Sequence, residues 1–298
     1  MPVPERSGRI RRLWAVILFT LLAAGGPAAS AAEATSVAAV LSSEIGPYQE
    51  ALKGLQGEMP DVSAFFLTRG EPEIPASARV IVLFGSKAAI REYPDGAVLV
   101  YAMASGVMLR TKRSVKISML PEHRTLLSDL RIIQPELKRL GILWVSPHFK
   151  TYASELSEAA KAFGISIESS QMDDESDLPE HLRRLYGKVD AIWLVPDPLL
   201  VNPKGLPVFI EFSHANRVPL FVPTGGLTDQ GATAAVGPTF REMGRLAAAA
   251  AKKALKDEAQ ESTIYSSNVE IIINKTAAAQ VGLKIPEEAL WSARQVLP

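Results

Sequence analysis

Short apolar runs alternate with longer helical patterns through most of this chain, and the whole alternation then restarts. The first series carries four buried runs and a fifth extended run, and the second series carries four more runs with helical stretches between them. Strands that alternate with helices of about 10–15 residues indicate βαβ units and a parallel sheet. The sequence therefore predicts an α/β fold of two doubly wound, Rossmann-like lobes that share a hinged cleft.

The boundaries of these segments follow from where apolar and β-branched residues begin and end. Continuous apolar runs such as Ala191–Val195 are typical of strands that are buried on both faces. The predicted strands are Val37–Leu41, Val62–Leu67, Arg79–Phe84, Ala97–Ala102, Val115–Leu120, Ile142–Val145, Ile165–Ser169, Ala191–Val195 and Pro219–Val222. The predicted helices are Pro47–Gln56, Ser86–Glu92, Tyr152–Phe163, Leu178–Tyr186, Leu206–Asn216 and Thr239–Leu255.

Length and charge narrow the classes of protein to consider. A chain of 298 residues predicts about two domains at roughly 150 residues each. Lysine plus arginine and aspartate plus glutamate both number 32, so the chain lacks the basic excess of a nucleic-acid-binding protein. The absence of cysteine excludes disulfides, thiolate nucleophiles, cysteine–zinc sites and a lipid attached through cysteine.

The first 31 residues have the pattern of a cleavable export signal. A basic start is followed by an apolar run, Leu13–Leu22, and then by Ala29-Ser30-Ala31, which resembles a cleavage site. The run is shorter than the roughly 20 residues that a membrane-spanning helix needs, although an uncleaved anchor is the alternative. We therefore expect a periplasmic protein that is not a lipoprotein.

The ends of the predicted strands supply the candidate ligand-binding residues. In open α/β sheets, ligands bind beyond the carboxyl ends of the strands, where turns expose hydroxyls and backbone N–H groups. A purely structural alternative exists at each position, since Ser86 would also serve as a helix cap. The candidates are Ser42, Ser43, Gly85, Ser86, Ala102, Met103, Ser146, Asp197 and Thr224.

Aromatic residues close to these turns are candidates to cover the apolar part of a ligand. We expect Phe149 and Tyr152 to do so, and Tyr48 and Tyr101 are further possibilities, with simple core packing as the alternative for each. A carboxylate at Asp197 facing the cleft would hold an amino group, which favours an amino acid or a related amine.

Patterns that signal catalysis are missing from the sequence. The four histidines, His123, His148, His181 and His214, have no metal-ligand spacing, and no nucleophile elbow or phosphate-binding glycine motif is present. The acidic residues between Asp173 and Asp177 lack the spacing of a calcium loop and indicate a solvated loop. We expect neither an enzyme nor a metal or cofactor, and a small-molecule enzyme ranks third among the functions considered.

The C-terminal third of the chain resembles the substrate-binding proteins of ABC transporters. The similarity runs through Gly231–Val236, Met243–Ala248, the strand Val269–Asn274 and the segment Val281–Pro286. Further matches are Val80–Ala89, Leu137–Ser146 and Asp190–Asp197.

This resemblance implies a type I periplasmic-binding fold, with two lobes linked by three crossovers around a hinged cleft. It implies a monomer that captures a small polar solute, with an amino-acid-like solute favoured, and delivers it to an inner-membrane ABC permease. The alternative is a ligand-sensing or partner-binding module of the same fold without transport. We expect residues 32–117 and 237–262 in the N-terminal lobe, and residues 118–236 and 263–298 in the C-terminal lobe.

Overall fold

The computed structural model describes residues 36–108 and 113–298, which belong to one structural unit, Ala34–Pro298. The predicted signal peptide lies outside the described residues. None of the helices in these two ranges combines the length and the apolar character that crossing a membrane requires.

Strands and helices alternate along the described chain. The strands are β1 (Val37–Leu41), β2 (Ser63–Phe66), β3 (Val80–Phe84), β4 (Val98–Ala102), β5 (Val115–Pro121), β6 (Arg139–Trp144), β7 (Ser166–Gln171), β8 (Ala191–Trp193), β9 (Leu220–Val222), β10 (Ala234–Gly237), β11 (Ser262–Ser266), β12 (Glu270–Asn274) and β13 (Gln295–Leu297). The helices are α1 (Gly46–Glu58), α2 (Ser86–Ala89), α3 (His123–Ile133), α4 (Phe149–Lys161), α5 (Leu178–Leu185), α6 (Gly205–Asn216), α7 (Phe240–Leu255), α8 (Lys275–Gln280) and α9 (Glu287–Ser292).

These strands form two sheets. The first has the order β11-β5-β4-β3-β1-β2 and is parallel throughout. The second has the order β13-β12-β10-β9-β8-β6-β7, and the pairing of β10 with β12 is antiparallel. The predicted fold class, two α/β sheets of mostly parallel strands with helices, is confirmed.

Each sheet is covered on both faces, which explains why its central strands are continuously apolar. In the first sheet, Ala39 and Val82 pack toward α1 and α7, whereas Val40 and Ile81 belong to a separate apolar cluster on the opposite face. In the second sheet, one face packs against α3 and α4 and the other against α5 and α6. The alternation of side chains along a strand produces these two clusters per sheet.

The chain passes between the two sheets three times. It crosses after β5, after β10 and after β11. The first and third crossings are linked because Glu122 N donates a hydrogen bond to Ser266 O at 2.8 Å. The third is linked to α7 because Asn268 Nδ2 donates to Glu242 Oε2 at 3.2 Å. The three connections therefore form one hydrogen-bonded hinge region.

The strand pairing extends beyond the predicted lobe limits at two crossings. β5 stays in the first sheet to Pro121, and β11 pairs with it from Ser262 to Ser266. The expected limits were residues 117 and 262. The assignment of residues to lobes stays a prediction, and the pairing favours later limits at these two crossings.

Candidate functional site

A cavity of about 590 Å³ lies between elements of the two sheets. The first sheet contributes the loop after β4, the strand β5 and the strand β11. The second contributes the start of α4 and the loop that follows β8. The lining residues are Ala104, Ser105, Val107, Met108, Lys116, Ile117, Ser118, Met119, Leu120, Pro147, His148, Phe149, Thr151, Tyr152, Glu155, Pro196, Glu261, Thr263 and Tyr265.

An aromatic cluster forms one side of this cavity. The ring centroids of Tyr152 and Tyr265 are 5.5 Å apart, and His123 lies 4.6 Å from Tyr152 and 5.1 Å from Tyr265. Phe149 and Tyr152 are almost fully buried, at 5% and 1% exposure. Tyr265 is only half-buried, so its ring is the aromatic surface that a bound molecule can reach.

The regular alternation of side chains along β11 accounts for the position of Tyr265. Glu261, Thr263 and Tyr265 follow one another at every second position, and all three line the cavity. The register of β11 against β5 shifts between the pairs Ile264–Ile117 and Ser266–Pro121, and the extra residues of this irregularity lie in β5. Tyr265 therefore lies on the same face of β11 as Thr263.

Lys116 and His148 form the basic side of the cavity. Lys116 on β5 is half-buried, and its Nζ donates a hydrogen bond to Val107 O at 3.0 Å. Burial lowers the pKa of Lys116 below its ordinary value. Burial also lowers the pKa of His148 to about 4, and the positive charge of Lys116 adds to this effect. His148 is therefore a neutral imidazole at neutral pH.

An acidic residue lies on the aromatic side. Glu155 of α4 lines the cavity, and its Oε2 is 3.6 Å from His123 Nε2. Burial lowers the pKa of His123 although Glu155 opposes the shift. Burial raises the pKa of Tyr265 to about 12, with the charge of Glu155 as a second cause. In the part of the chain that the structure describes, the cavity lining thus holds one lysine, Lys116, and two acidic residues, Glu155 and the exposed Glu261.

The predicted residues of the first sheet cluster behind the cavity. Ser42 Oγ accepts a hydrogen bond from Ala88 N at 3.0 Å, and a Cβ on Gly85 would lie 2.6 Å from the same oxygen. Gly85 also has a φ of 92°, so both space and backbone conformation require glycine. Ser86 Oγ donates to the carbonyl of Ser105, which is itself a lining residue. Ser43, Ala102 and Met103 do not line this cavity.

The predicted residues of the second sheet lie next to lining residues. Asp197 is fully buried, and its carboxylate accepts hydrogen bonds from Val145 N, Ser146 N, Ser146 Oγ and Leu199 N at 2.7–3.1 Å. This carboxylate joins the turn after β6 to the turn after β8. All four contacts come from the protein, so the carboxylate of Asp197 already has structural partners, and its contact with a ligand amino group stays a prediction.

Among the sequence-predicted residues, the structure brings Phe149 and Tyr152 to the cavity. Ser146, Asp197 and Thr224 lie at the predicted edge of the second sheet without lining it. Pro147 and Pro196, each next to a predicted residue, do line the cavity. The predicted edge thus borders the site, while contact of the named residues with a ligand stays a prediction.

Sequence reasoning missed Lys116, His148, Glu155 and Tyr265. One signal was available for Lys116, because it is a charged residue between Val115 and Ile117 in an otherwise apolar strand. The position of Tyr265 depends on the pairing of β11 with β5, two strands about 150 residues apart in sequence, and no local pattern reports such a pairing. In the described ranges no group of three or more histidine, aspartate or glutamate residues could hold a metal ion.

Comparison with sequence families gives one match that spans over half of the chain. A model described as "ABC transporter substrate binding protein" matches residues 124–297. A curated "Tyrosine-binding protein" from Clostridioides difficile is 21% identical over 150 residues, which are 49% of this chain and 43% of that protein. The chain therefore matches less than half the length of this curated relative.

Three solved structures share the fold. An ABC domain in complex with L-Trp from Streptococcus pneumoniae has a TM-score of 0.59 and 17% identity, and the match covers 88% of this chain and 100% of that one. A conserved domain protein from Vibrio cholerae has a TM-score of 0.61 and 17% identity, with coverage of 89% and 100%. A ligand-free, open substrate-binding protein with adhesive properties from Clostridium difficile has a TM-score of 0.60 and 15% identity, with coverage of 88% and 98%.

Proposed function

Because the chain belongs to the ABC transporter substrate-binding protein family, we propose that it captures an amino-acid-like solute with an aromatic side chain in the cavity between its two sheets. Members of this family bind solutes outside the cytoplasm and do not transform them. The protein acts as a receptor for the solute and not as an enzyme. It delivers the solute to an inner-membrane ABC permease.

The observation that carries this proposal is the half-buried ring of Tyr265 in a cavity lined from both sheets. Aromatic rings pair favourably at centroid distances of about 4.5–7 Å, and the ring of Tyr265 already lies in this range from the rings of Tyr152 and His123. A solute ring placed against Tyr265 extends this cluster. The cavity volume of about 590 Å³ lies within the range of roughly 300–1,000 Å³ that is usual for small-molecule sites.

The relatives add support for the class of solute. One solved relative was obtained with L-Trp, and the curated relative is named for tyrosine. Both solutes combine a planar ring with an amino-acid head group. The cavity has a matching arrangement, with an aromatic side at Tyr265 and charged side chains, Lys116 and Glu155, around it.

Calorimetric titration of the purified protein tests this proposal. We expect L-tryptophan, L-tyrosine or L-phenylalanine to bind more tightly than aliphatic amino acids or sugars. Tyr265→Ala removes the reachable ring and should weaken this binding by roughly 2- to 10-fold, since an aromatic pair contributes about 0.5–1.5 kcal/mol beyond the area it buries.

Tyr186→Ala is the matched control, because Tyr186 is 64% exposed and does not line this cavity. This variant should bind as the wild type does. The proposal is wrong if no aromatic amino acid binds at millimolar concentration, or if Tyr265→Ala and Tyr186→Ala have the same affinity as the wild type.

A further inference from the structure

Lys116 is the one lysine or arginine among the described residues that line the cavity. It lies on β5 between the buried residues Val115 and Ile117. A lysine stem usually packs along apolar surface with its ammonium group in water. Here the side chain is half-buried, and Nζ donates a hydrogen bond to the neutral Val107 carbonyl at 3.0 Å. This is an expensive position for a positive charge.

No carboxylate of the described residues neutralises this charge. Within those residues, no acidic oxygen lies within 4 Å of Lys116 Nζ, although fourteen other ion pairs are formed. Asp197 is nearby in the fold, but four protein donors already occupy its carboxylate. His148 lies near enough for the charge of Lys116 to lower its pKa. Glu261 also lines the cavity, two residues before the Thr263 that pairs with Lys116, but it is exposed and has no ion pair with Lys116 within 4 Å.

We propose that the captured solute carries an anionic group, a carboxylate, that pairs with Lys116 at the basic side of the cavity. This inference rests on the proposed function and defines the charge that the site selects. The solute ring then lies toward Tyr265, and the anion lies between Lys116 and His148. A neutral or purely cationic analogue of the same shape leaves Lys116 without a partner.

The energetics of buried charges explain why selection should be strong. Burial removes part of the hydration of Lys116 and lowers its pKa. A carboxylate restores a charged partner in surroundings where water screens the attraction weakly. A hydrogen bond to a charged group contributes enough to change an affinity on the order of 10- to 100-fold.

Matched solute pairs that differ in one charge provide the test. L-tryptophan and L-tryptophanamide share the ring and the amino group, but the amide lacks the negative charge. L-leucine and L-leucinamide form the corresponding aliphatic pair. Titration calorimetry of the wild-type chain should show each acid that binds to be on the order of 10- to 100-fold tighter than its amide.

Lys116→Met keeps the length of the side chain and removes its charge. In this variant the ratio of acid affinity to amide affinity should fall toward one. Lys150→Met is the control, because Lys150 is exposed on the same α4 helix that lines the cavity and is not itself a lining residue. It should keep the wild-type ratio. Thermal unfolding without solute shows whether each variant is folded. If Lys116→Met is not folded, the ratio of acid affinity to amide affinity in the wild type tests the inference.

The outcomes separate this inference from the proposed function. If L-tryptophan and its amide bind the wild type equally, or if Lys116→Met keeps the wild-type ratio, the role of Lys116 is wrong while capture of an aromatic solute stands. If only the leucine pair binds, with a ratio that depends on Lys116, the aromatic preference is wrong and the inference stands. If neither pair binds at millimolar concentration, both are overturned.

Discussion

At the residue scale, the basic side of the cavity holds two groups, Lys116 and His148, and a positive charge on one makes protonation of the other less favourable. His148 lies near Lys116, and burial and this charge together depress its pKa to about 4. A bound anion would favour the protonated forms of both groups. Without one, the folded chain keeps a neutral imidazole at a position where an unfolded chain would readily take up a proton.

This depressed pKa predicts a loss of stability at acidic pH. An unfolded histidine protonates near pH 6.5, whereas His148 in the folded chain does so only near 4. As the pH falls from 6.5 to 4, the unfolded state takes up a proton that the folded state does not, so the free energy of unfolding decreases. Below pH 4 both states are protonated and this decrease is complete.

His148→Gln removes the titrating group and should flatten this dependence. Denaturant unfolding of the solute-free chain at several pH values should show the variant gaining stability relative to the wild type as the pH falls from 6.5 to 4. Burial also lowers the pKa of His123, so part of the acid sensitivity should remain in the variant. Parallel curves for the two chains would contradict the assignment.

Single residues were the hardest part of the site to predict from sequence. The carboxyl ends of β1, β3, β4 and β9 lie where the sequence predicted them, and those of the other predicted strands differ by one or two residues. The sequence could not show that Asp197 turns inward to accept four hydrogen bonds. A carboxylate on a loop satisfies local backbone donors as readily as it binds a ligand. Whether the Asp197 carboxylate binds backbone donors or a ligand depends on the distance in the fold between the turn after β6 and the turn after β8. These two turns are far apart in sequence.

At the element scale, the packing of α1 against α7 depends on two glycines. A Cβ on Gly244 would overlap the Ala51 carbonyl, and a Cβ on Gly54 would overlap the Arg241 carbonyl. The two helices therefore approach each other backbone to backbone. The alanine-rich face of α7, with Ala247 packed in the same core, fits this close approach.

Gly244→Ala should destabilise the chain by about 1–3 kcal/mol, because the added methyl group forces the two helices apart. The matched control is Gly57→Ala on α1, where nothing lies within 4 Å of the added Cβ. That change should be neutral or stabilising by up to about 1 kcal/mol, since alanine is the better helix former. Denaturant midpoints measure both effects. Equal midpoints for the two variants would contradict the close packing.

Most elements were predictable because their apolar period is local. β1 has the predicted limits, and α7 begins one residue later than expected, with Thr239 as its N-cap. The predicted helix from Ser86 ends early, at Ala89. The helix α3 was missed although it has a clear apolar face with Leu126, Leu127 and Leu130 buried. Only Pro121 and the N-cap Glu122 separate its pattern from that of β5.

At the scale of the whole molecule, the presence of two sheets could be predicted, but the order of their strands and the way they enclose a cavity could not. The restart of the strand–helix alternation indicated two sheets, and the structure has six strands in one and seven in the other. The return of β11 to pair with β5 was not foreseen, since it joins segments far apart in sequence. That return places Tyr265 beside Lys116 and the start of α4 in one cavity.

The same arrangement connects the cavity to the hinge region. β5 and β11 line the cavity and lead directly into two of the three crossings between the sheets. In a hinged protein, a ligand that contacts both sheets favours the closed arrangement. It can do so only by the difference between its binding free energies for the closed and the open arrangement. The hydrogen bond from Glu122 N to Ser266 O joins these two crossings beside the site.

A crystal structure of the chain grown with saturating L-tryptophan shows directly whether the solute binds in the cavity between the sheets. We expect electron density for one solute there, with its ring against Tyr265 and its carboxylate within hydrogen-bond distance of Lys116 Nζ. Density for the solute elsewhere on the chain, or a cavity that stays empty although titration shows binding, would contradict this expectation.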